Sequence, residues 1–357
     1  MGTTPEPAEE AAGPAGEQAG EPAGASRRRR IIIAAVAALV VLAVAAAAFF
    51  LTRPRAEPPA PAAPPAAPPP SPSPSATPSP TPTPEPPPTD LNILLIGSDS
   101  RVNARAEAVA GNVSDQRGDV LVLVHIPADR QSIYGISMMR DLWVDVPGYG
   151  GAKINAGLEY GGIPLQTRTV ESLLGTHIDH TVMVDFEGFA ALVDAVGGID
   201  VDVTTPFTGT IESQHYYPPG VNRLDGALAL DFVRERKAFA DGDYQRVRNQ
   251  QTFLKAVLAK AAGGILVDRA AAHAFVTGVL PHVSVTPGLT PETVERLAFS
   301  LRAVPPGNGA FFALPTAGVG TSPDGQSIVV QNQAGTAEVA AALASGTLAQ
   351  YVASRNQ

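Results

Sequence analysis

Five short clusters hold the side chains in this sequence that could do chemistry. The run Gly97-Ser98-Asp99-Ser100-Arg101 ends an apolar stretch and delivers an acid and a base two residues apart, on one face of an extended chain. Arg117-Gly118-Asp119 opens the next apolar run. Asp99 and Asp119 together could hold a hard divalent cation, because Mg²⁺ takes one or two carboxylates and completes its shell with phosphate oxygens and water. Met139-Arg140-Asp141 and Lys153-Ile154-Asn155 are the third and fourth clusters. The densest is Arg234-Glu235-Arg236 followed by Asp243, Arg246, Arg248 and Gln250, in which Asp243, Arg246 and Gln250 fall at i, i+3 and i+7 on one helical stripe. Any one cluster alone reads as a solvated surface pair. The preference for arginine in the last one points further, because a planar guanidinium grips phosphate through two parallel hydrogen bonds.

The elements that must position these groups alternate between strand and helix. Asn92–Gly97, Asp119–Ile126 and Ile133–Met138 are short apolar runs that predict buried strands, the last two joined through a turn at Pro127–Arg130. Helical spacing covers Ile163–Leu174, closed by Gly175, and Phe186–Val196, closed by Gly197 and Gly198. Strands are expected at Thr181–Val184 and Ile199–Val203, and helices over Leu224–Arg234 and Asp243–Ala262. Weaker helical patterns cover Ala270–Leu280, Pro291–Leu301 and Ala337–Ala344. This alternation predicts an α/β fold in three layers, a central mixed sheet with helices on both faces. Most of the charged clusters fall just after strands or at helix ends, where open α/β sheets bind ligands.

Before residue 90 the chain has a different character. Residues 1–30 carry five Glu, much Ala, Gly and Pro, and a closing run of four Arg, which reads as a disordered cytoplasmic tail. Ile31–Leu51 is apolar throughout and, at about 1.5 Å per residue, is long enough to cross a bilayer as one transmembrane helix. Arg27 to Arg30 on its N-terminal side keep that end inside and export the remainder. Residues 52–89 form a Pro-rich extracytoplasmic linker, with 18 Pro among the 35 residues from Pro54 to Pro88. Residues 90–357 are enough for one large single-core domain, the part expected to carry the chemistry. A net charge of −9 offers nothing for nucleic acid, and the absence of cysteine excludes disulfides and thiolate chemistry. The sequence also has no GxSxG elbow, no Walker A loop and no HExxH pair.

Taken in order, the clusters resemble the LytR-CpsA-Psr (LCP) family of cell-envelope proteins. The resemblance rests on LNILLIGSDSR (91–101), RGDVLVLVHI (117–126), ISMMRDLWVDVPGYGGAKINAGLEYGG (136–162), VDFEGFAALVDAVGGIDVDV (184–203) and LDGALALDFVRERKAFADGDYQRVRNQQ (224–251). It implies transfer of a glycopolymer from a polyprenyl-pyrophosphate lipid to peptidoglycan through a phosphodiester bond, at the outer face of the membrane, in a sandwich with an apolar lipid pocket. On that resemblance Asp99 and Asp119 match the Mg²⁺-associated acids, and Arg140, Arg234 and Arg236 match pyrophosphate-binding arginines. Arg117 and Gln250 fall at matching polar positions, and Arg101, Arg246 and Arg248 are further contributors. Asp99, Asp119 and Arg140 are the expected catalytic residues. The general base stays open between Asp119 and Asp99. The chain departs from the family pattern at Val120, at Met138-Met139 and in a long loop from Val102 to Gln116. The same residues would also suit a binding protein for lipid-linked glycan, or a hydrolase passing the phosphate to water.

Overall fold

The computed structural model describes residues 89–98, 105–113, 116–262, 283–286, 289–290, 304 and 308–355. The expected tail, membrane helix and linker lie outside the described residues, as do Asp99, Arg101 and the helices expected over 270–280 and 291–301. Among the described residues no helix is long and apolar enough to cross a membrane.

The frame is a mixed six-stranded sheet. Its strands are β1 (Leu91–Ser98), β2 (Gly118–Ile126), β3 (Ile133–Met138), β6 (His180–Val184), β11 (Val283–Val285) and β12 (Gly309–Ala313), in the spatial order β11-β6-β1-β2-β3-β12. β2 runs antiparallel to both β1 and β3, whereas β6 on β1 and β12 on β3 are parallel. Both faces of the sheet are covered, so its central strands read as continuous apolar runs. Ile93 and Leu95 of β1 enter one core with Val120, Val122 and Val124 of β2. Leu94 and Ile96 face the other way with Leu121 and Leu123. The first core is closed by helices α3 (Phe186–Ala195), α4 (Gly226–Arg234) and most of α5 (Asp243–Ala262). The second is closed by α2 (Ala156–Leu174), which follows the short α1 (Arg105–Ala110), and by α6 (Gln333–Ala344), with α7 (Leu348–Arg355) beyond it.

Small two-stranded ribbons decorate this frame. β4 (Trp143–Val146) and β5 (Gly150–Lys153) make a hairpin directly after β3. β7 (Ile199–Val203) pairs with β10 (Gly220–Leu224), and the two-residue β8 (Phe207–Thr208) and β9 (Tyr216–Tyr217) pair between them. β13 (Thr316–Thr321) and β14 (Ser327–Gln331) form a second hairpin. The helix expected from Leu224 begins two residues later. Leu224 still pairs with Ile199 in the ribbon, and the Asp225 carboxylate caps α4 by accepting from the Leu228 amide at 2.9 Å. The helix expected from Ile163 starts earlier, at Ala156, and kinks at Gly161 and Gly162 ahead of Pro164, whose ring removes a backbone donor. It ends as expected at Gly175 in the left-handed conformation.

Candidate active site

A bulge in β2 aims the first acidic group. Gly97 pairs with Val120 but Ser98 pairs with Gly118, so Asp119 is the extra residue, and its amide turns back to the Arg117 carbonyl at 3.1 Å. On the other edge of β2, Leu121 faces Met138. Continuing two residues along each strand brings Arg140 opposite Asp119, and Arg140 Nη1 donates to Asp119 Oδ1 at 3.0 Å. The Asn155 backbone fixes both chains: its amide donates to the Arg140 carbonyl at 3.2 Å, and its carbonyl accepts from the Gly118 amide at 3.4 Å. Arg140 Nε lies 3.4 Å from Asp141 Oδ2, and Lys153 Nζ lies 3.2 Å from Asp141 Oδ1.

The first turn of α5 brings the second acidic group. Asp243 Oδ1 lies 3.2 Å from Arg246 Nη1, one turn along the helix, and 3.4 Å from Arg236 Nη1 in the loop after α4. Arg246 is 2% exposed, and its Nε and Nη1 have no well-aligned acceptor, so its approach to Asp243 is an ion contact rather than a formed hydrogen bond. Burial pushes the Arg246 guanidinium down to about 10; neighbouring Arg140 and Arg236 add to this, against Asp243 and Asp119. Arg140 is held above its ordinary value: burial opposes its charge, but Asp119, Asp141 and Asp243 together outweigh it. Four cations (Arg140, Lys153, Arg236, Arg246) thus face three carboxylates (Asp119, Asp141, Asp243) around one end of the sheet. A surplus of positive charge with buried donors left over is an arrangement that binds a multiply charged anion.

Burial pushes Asp243 up, but Arg246, Arg140 and Arg236 together hold its carboxyl below the usual range. The unfolded chain therefore binds the proton first on acidification, and the stabilisation from Asp243 is full above the ordinary carboxyl pKa near 4 and fades as pH falls below it. Asp243→Asn is expected to lose stability at pH 7 and to flatten the acid limb of the melting curve below about pH 4. Melting temperatures of both proteins across that range check this; parallel acid limbs would remove Asp243 from the charge balance.

Other residues expected at the site sit elsewhere or act differently. Arg117 Nε donates to Glu159 Oε2 at 2.8 Å on α2. Arg234 is buried at the end of α4, 3.2 Å from Glu212, with its guanidinium 4.8 Å above the Phe186 ring. Arg248 is half-exposed, bonds Gln245 Oε1 through Nε at 2.9 Å and pairs with Asp241. It is two residues from Arg246, roughly 200° around the helix, so it leaves the Asp243 stripe. Gln250 is buried and donates from Nε2 to the Val233 carbonyl at 3.2 Å, while Asn249 donates to the Phe232 carbonyl. Gln250 thereby ties α5 to the end of α4 that carries Arg234. Sequence reasoning passed over Glu235. Its buried carboxylate accepts from the amides of Arg236, Lys237 and Ala238 and from Thr210, and so shapes the loop that presents Arg236. The signal available was an acid held between two arginines just after a helix end. No group of three or more His, Cys, Asp or Glu that could hold a metal ion occurs among the described residues.

The model of the LytR_cpsA_psr family matches residues 76–270. The chain is 34% identical over 217 residues to "Probable cell wall biosynthesis protein LcpB" of Corynebacterium glutamicum, covering 59% of this chain and 52% of that protein. It is 33% identical over 173 residues to "Polyisoprenyl-teichoic acid--peptidoglycan teichoic acid transferase TagU" of Bacillus mycoides, covering 48% of this chain and 53% of that protein. The chain thus spans about half the length of these curated relatives. Among solved structures, B. subtilis TagV matches with a TM-score of 0.61 at 23% identity, over 72% of this chain and 97% of that one. TagT bound to LI-WTA matches with a TM-score of 0.56 at 23% identity, over 71% of this chain and 89% of that one. These two likenesses show the fold.

Proposed function

The chain belongs to the LytR_cpsA_psr family, and from that membership we propose that it is a phosphotransferase moving a glycopolymer from a polyprenyl-pyrophosphate carrier onto peptidoglycan. The observation that carries the reading is Arg246, buried with unaligned donors between Arg140 and Arg236. The printed names of the relatives, a teichoic acid transferase and a cell wall biosynthesis protein, support the reaction class.

In this reaction a sugar hydroxyl of the acceptor attacks the phosphorus that bears the glycan. The new P–O bond makes the phosphodiester, the P–O bond toward the second phosphorus breaks, and polyprenyl phosphate leaves with the bridging oxygen. The acceptor's proton passes to a base, for which Asp119 and Asp99 remain the two candidates. Arg140, Arg236 and Arg246 orient the pyrophosphate and neutralise charge growing on the leaving phosphate, the step at which preorganised cations contribute most. Arg234 and Arg117, each held in an ion pair with a glutamate, stand outside this cluster.

Mg²⁺ is the cofactor this reading expects. Asp119 is a carboxylate only 4% exposed, and Ser98, the residue before Asp99, pairs with Gly118, the residue before Asp119. Asp99 and Asp119 would hold the ion, and bound there it would supply further positive charge to the pyrophosphate. The prenyl chain would lie along apolar side chains at the rim of the first core. Phe186 beneath Arg234 and Phe239 edge-on to Phe207 are apolar groups that such a pocket would use. An N-terminal membrane helix at 31–51, with the catalytic domain outside, would keep that pocket near its lipid.

The test incubates the full-length chain with a synthetic polyprenyl-pyrophosphate glycan, a peptidoglycan acceptor and Mg²⁺, with Asp99→Ala as control. Labelled glycan on the acceptor with wild type alone is the expected result. Lipid binding without transfer across several glycan donors would replace the reading by that of a binding protein. Phosphate release that ignores the acceptor would replace it by a hydrolase.

A further inference from the structure

The β4–β5 hairpin carries an aromatic surface that the anion site does not use. Its tip residue Tyr149 is 56% exposed and stacks on Tyr160 of α2, ring centroids 4.9 Å apart and planes inclined by 26°. Tyr149 Oη donates to the Tyr160 carbonyl at 3.1 Å, so the two rings are held as a unit against the helix. Tyr149 is flanked by Gly148 (φ 87°) and Gly150 (φ 75°), where an added Cβ would meet nothing within 4 Å. Bare backbone therefore surrounds the exposed ring. A tyrosine this open, on a glycine-flanked turn, covers little core of its own.

The chain links the platform to the basic cluster at two points. Glu159, the residue before Tyr160, holds Arg117, and Arg117 lies two residues before Asp119. At the other end of the hairpin, Lys153 bonds Asp141 beside Arg140. Aromatic faces carry a negative quadrupole, and one face of a pyranose ring is a set of slightly positive C–H groups of matching size. Carboxylate and guanidinium beside such a face supply the acceptor and donors that sugar hydroxyls need.

We propose that the Tyr149–Tyr160 pair, with the Arg117–Glu159 ion pair beside it, is a subsite for a pyranose ring of a glycan strand next to the phosphate-transfer centre. The inference deepens the transferase reading and rests on it for the sugar's origin, which is either the peptidoglycan acceptor or the glycan of the donor. Ligand-observed saturation-transfer NMR tests it without turnover, using the full-length chain with a β-1,4-linked N-acetylhexosamine tetrasaccharide or with the lipid-free donor glycan. Wild type is expected to saturate ring C–H protons of one of the two. Tyr149→Leu should abolish that signal, whereas Tyr149→Phe, which keeps the ring, should retain it. In the transfer assay Tyr149→Leu should raise one KM by about three- to tenfold with kcat within about twofold. A rise for the acceptor assigns the subsite to peptidoglycan, and a rise for the donor assigns it to the glycopolymer. No ring saturation with either sugar, or Tyr149→Leu with both KM values unchanged, overturns the proposal. Saturation by a sugar in a protein that transfers nothing would leave the subsite standing and remove the transferase reading instead.

Discussion

Replacing Arg246 by methionine is expected to cut glycan transfer by about 10²- to 10³-fold while the melting temperature stays level or rises. The two effects separate because of where Arg246 sits. It is fully charged at pH 7, yet only 2% exposed and without a well-aligned acceptor for Nε and Nη1. Its neighbours Arg140 and Arg236 repel it, and Asp243 at 3.2 Å only partly compensates. Methionine fills much of the same volume without charge. Asp243 would keep Arg236 at 3.4 Å and the field of Arg140, so no carboxylate is left buried without a cation. The folded protein therefore loses a costly group and, on the proposed reading, the reaction loses a donor for the pyrophosphate. Steady-state transfer and calorimetric melting on the same preparation check both halves. A large drop in melting temperature with transfer intact would mean that Arg246 is a structural ion pair.

Glu235→Ala should couple the two effects instead, lowering stability by about 3 kcal/mol and taking transfer down with it by about tenfold. Glu235 is 1% exposed and its carboxylate accepts from five donors: the amides of Arg236, Lys237, Ala238 and Thr210, and the Thr210 hydroxyl. Each backbone donor left buried without a partner costs roughly 1–3 kcal/mol, and water reaches part of this half-exposed loop, so the net sits near the middle. Activity falls because Arg236 follows Glu235 directly and loses its fixed approach to Asp243. Glu235→Gln keeps one acceptor oxygen and should lose about half as much. Urea midpoints for the two variants check this; a Glu235→Ala protein as stable as wild type would make the carboxylate a bystander.

The sequence carried the sheet and its cores well, for a physical reason. Strands buried on both faces leave unbroken apolar runs, and Asn92–Gly97, Asp119–Ile126 and Ile133–Met138 each match a strand to within two residues. Helix ends announced by glycine, such as Gly175, were equally plain. The ribbons were not. Gly150–Lys153 and Thr316–Thr321 are rich in glycine or threonine and half-exposed, so no apolar periodicity marks them. At the site, residue type pointed to phosphate and spacing put Asp243, Arg246 and Gln250 on one stripe. Which arginines converge depended on tertiary contacts. Arg246 and Arg248 look alike in sequence, yet one is buried among other arginines and the other reaches Asp241 at the surface. Nothing local distinguishes Gln250 as a brace for α4 from Gln250 as a ligand.

The last strands of the chain are joined to its first ones. β12 completes the sheet by pairing with β3, the Val329 amide donates to the Asp141 carbonyl at 2.9 Å, and Leu142 bridges to Val329 beside it. The turn that carries Arg140 is thus braced by residues made long after it. Contacts so distant along the chain close slowly, because a long loop must be ordered before they form. Assembly therefore has an order in time: the β1–β2–β3 meander can form early, but the anion site becomes rigid only when the C-terminal hairpin arrives. On the topology proposed above, a thread emerging through the membrane would reach the outer side before that brace exists. On that topology the proposed activity would stay silent until the C-terminal hairpin had followed the first strands across.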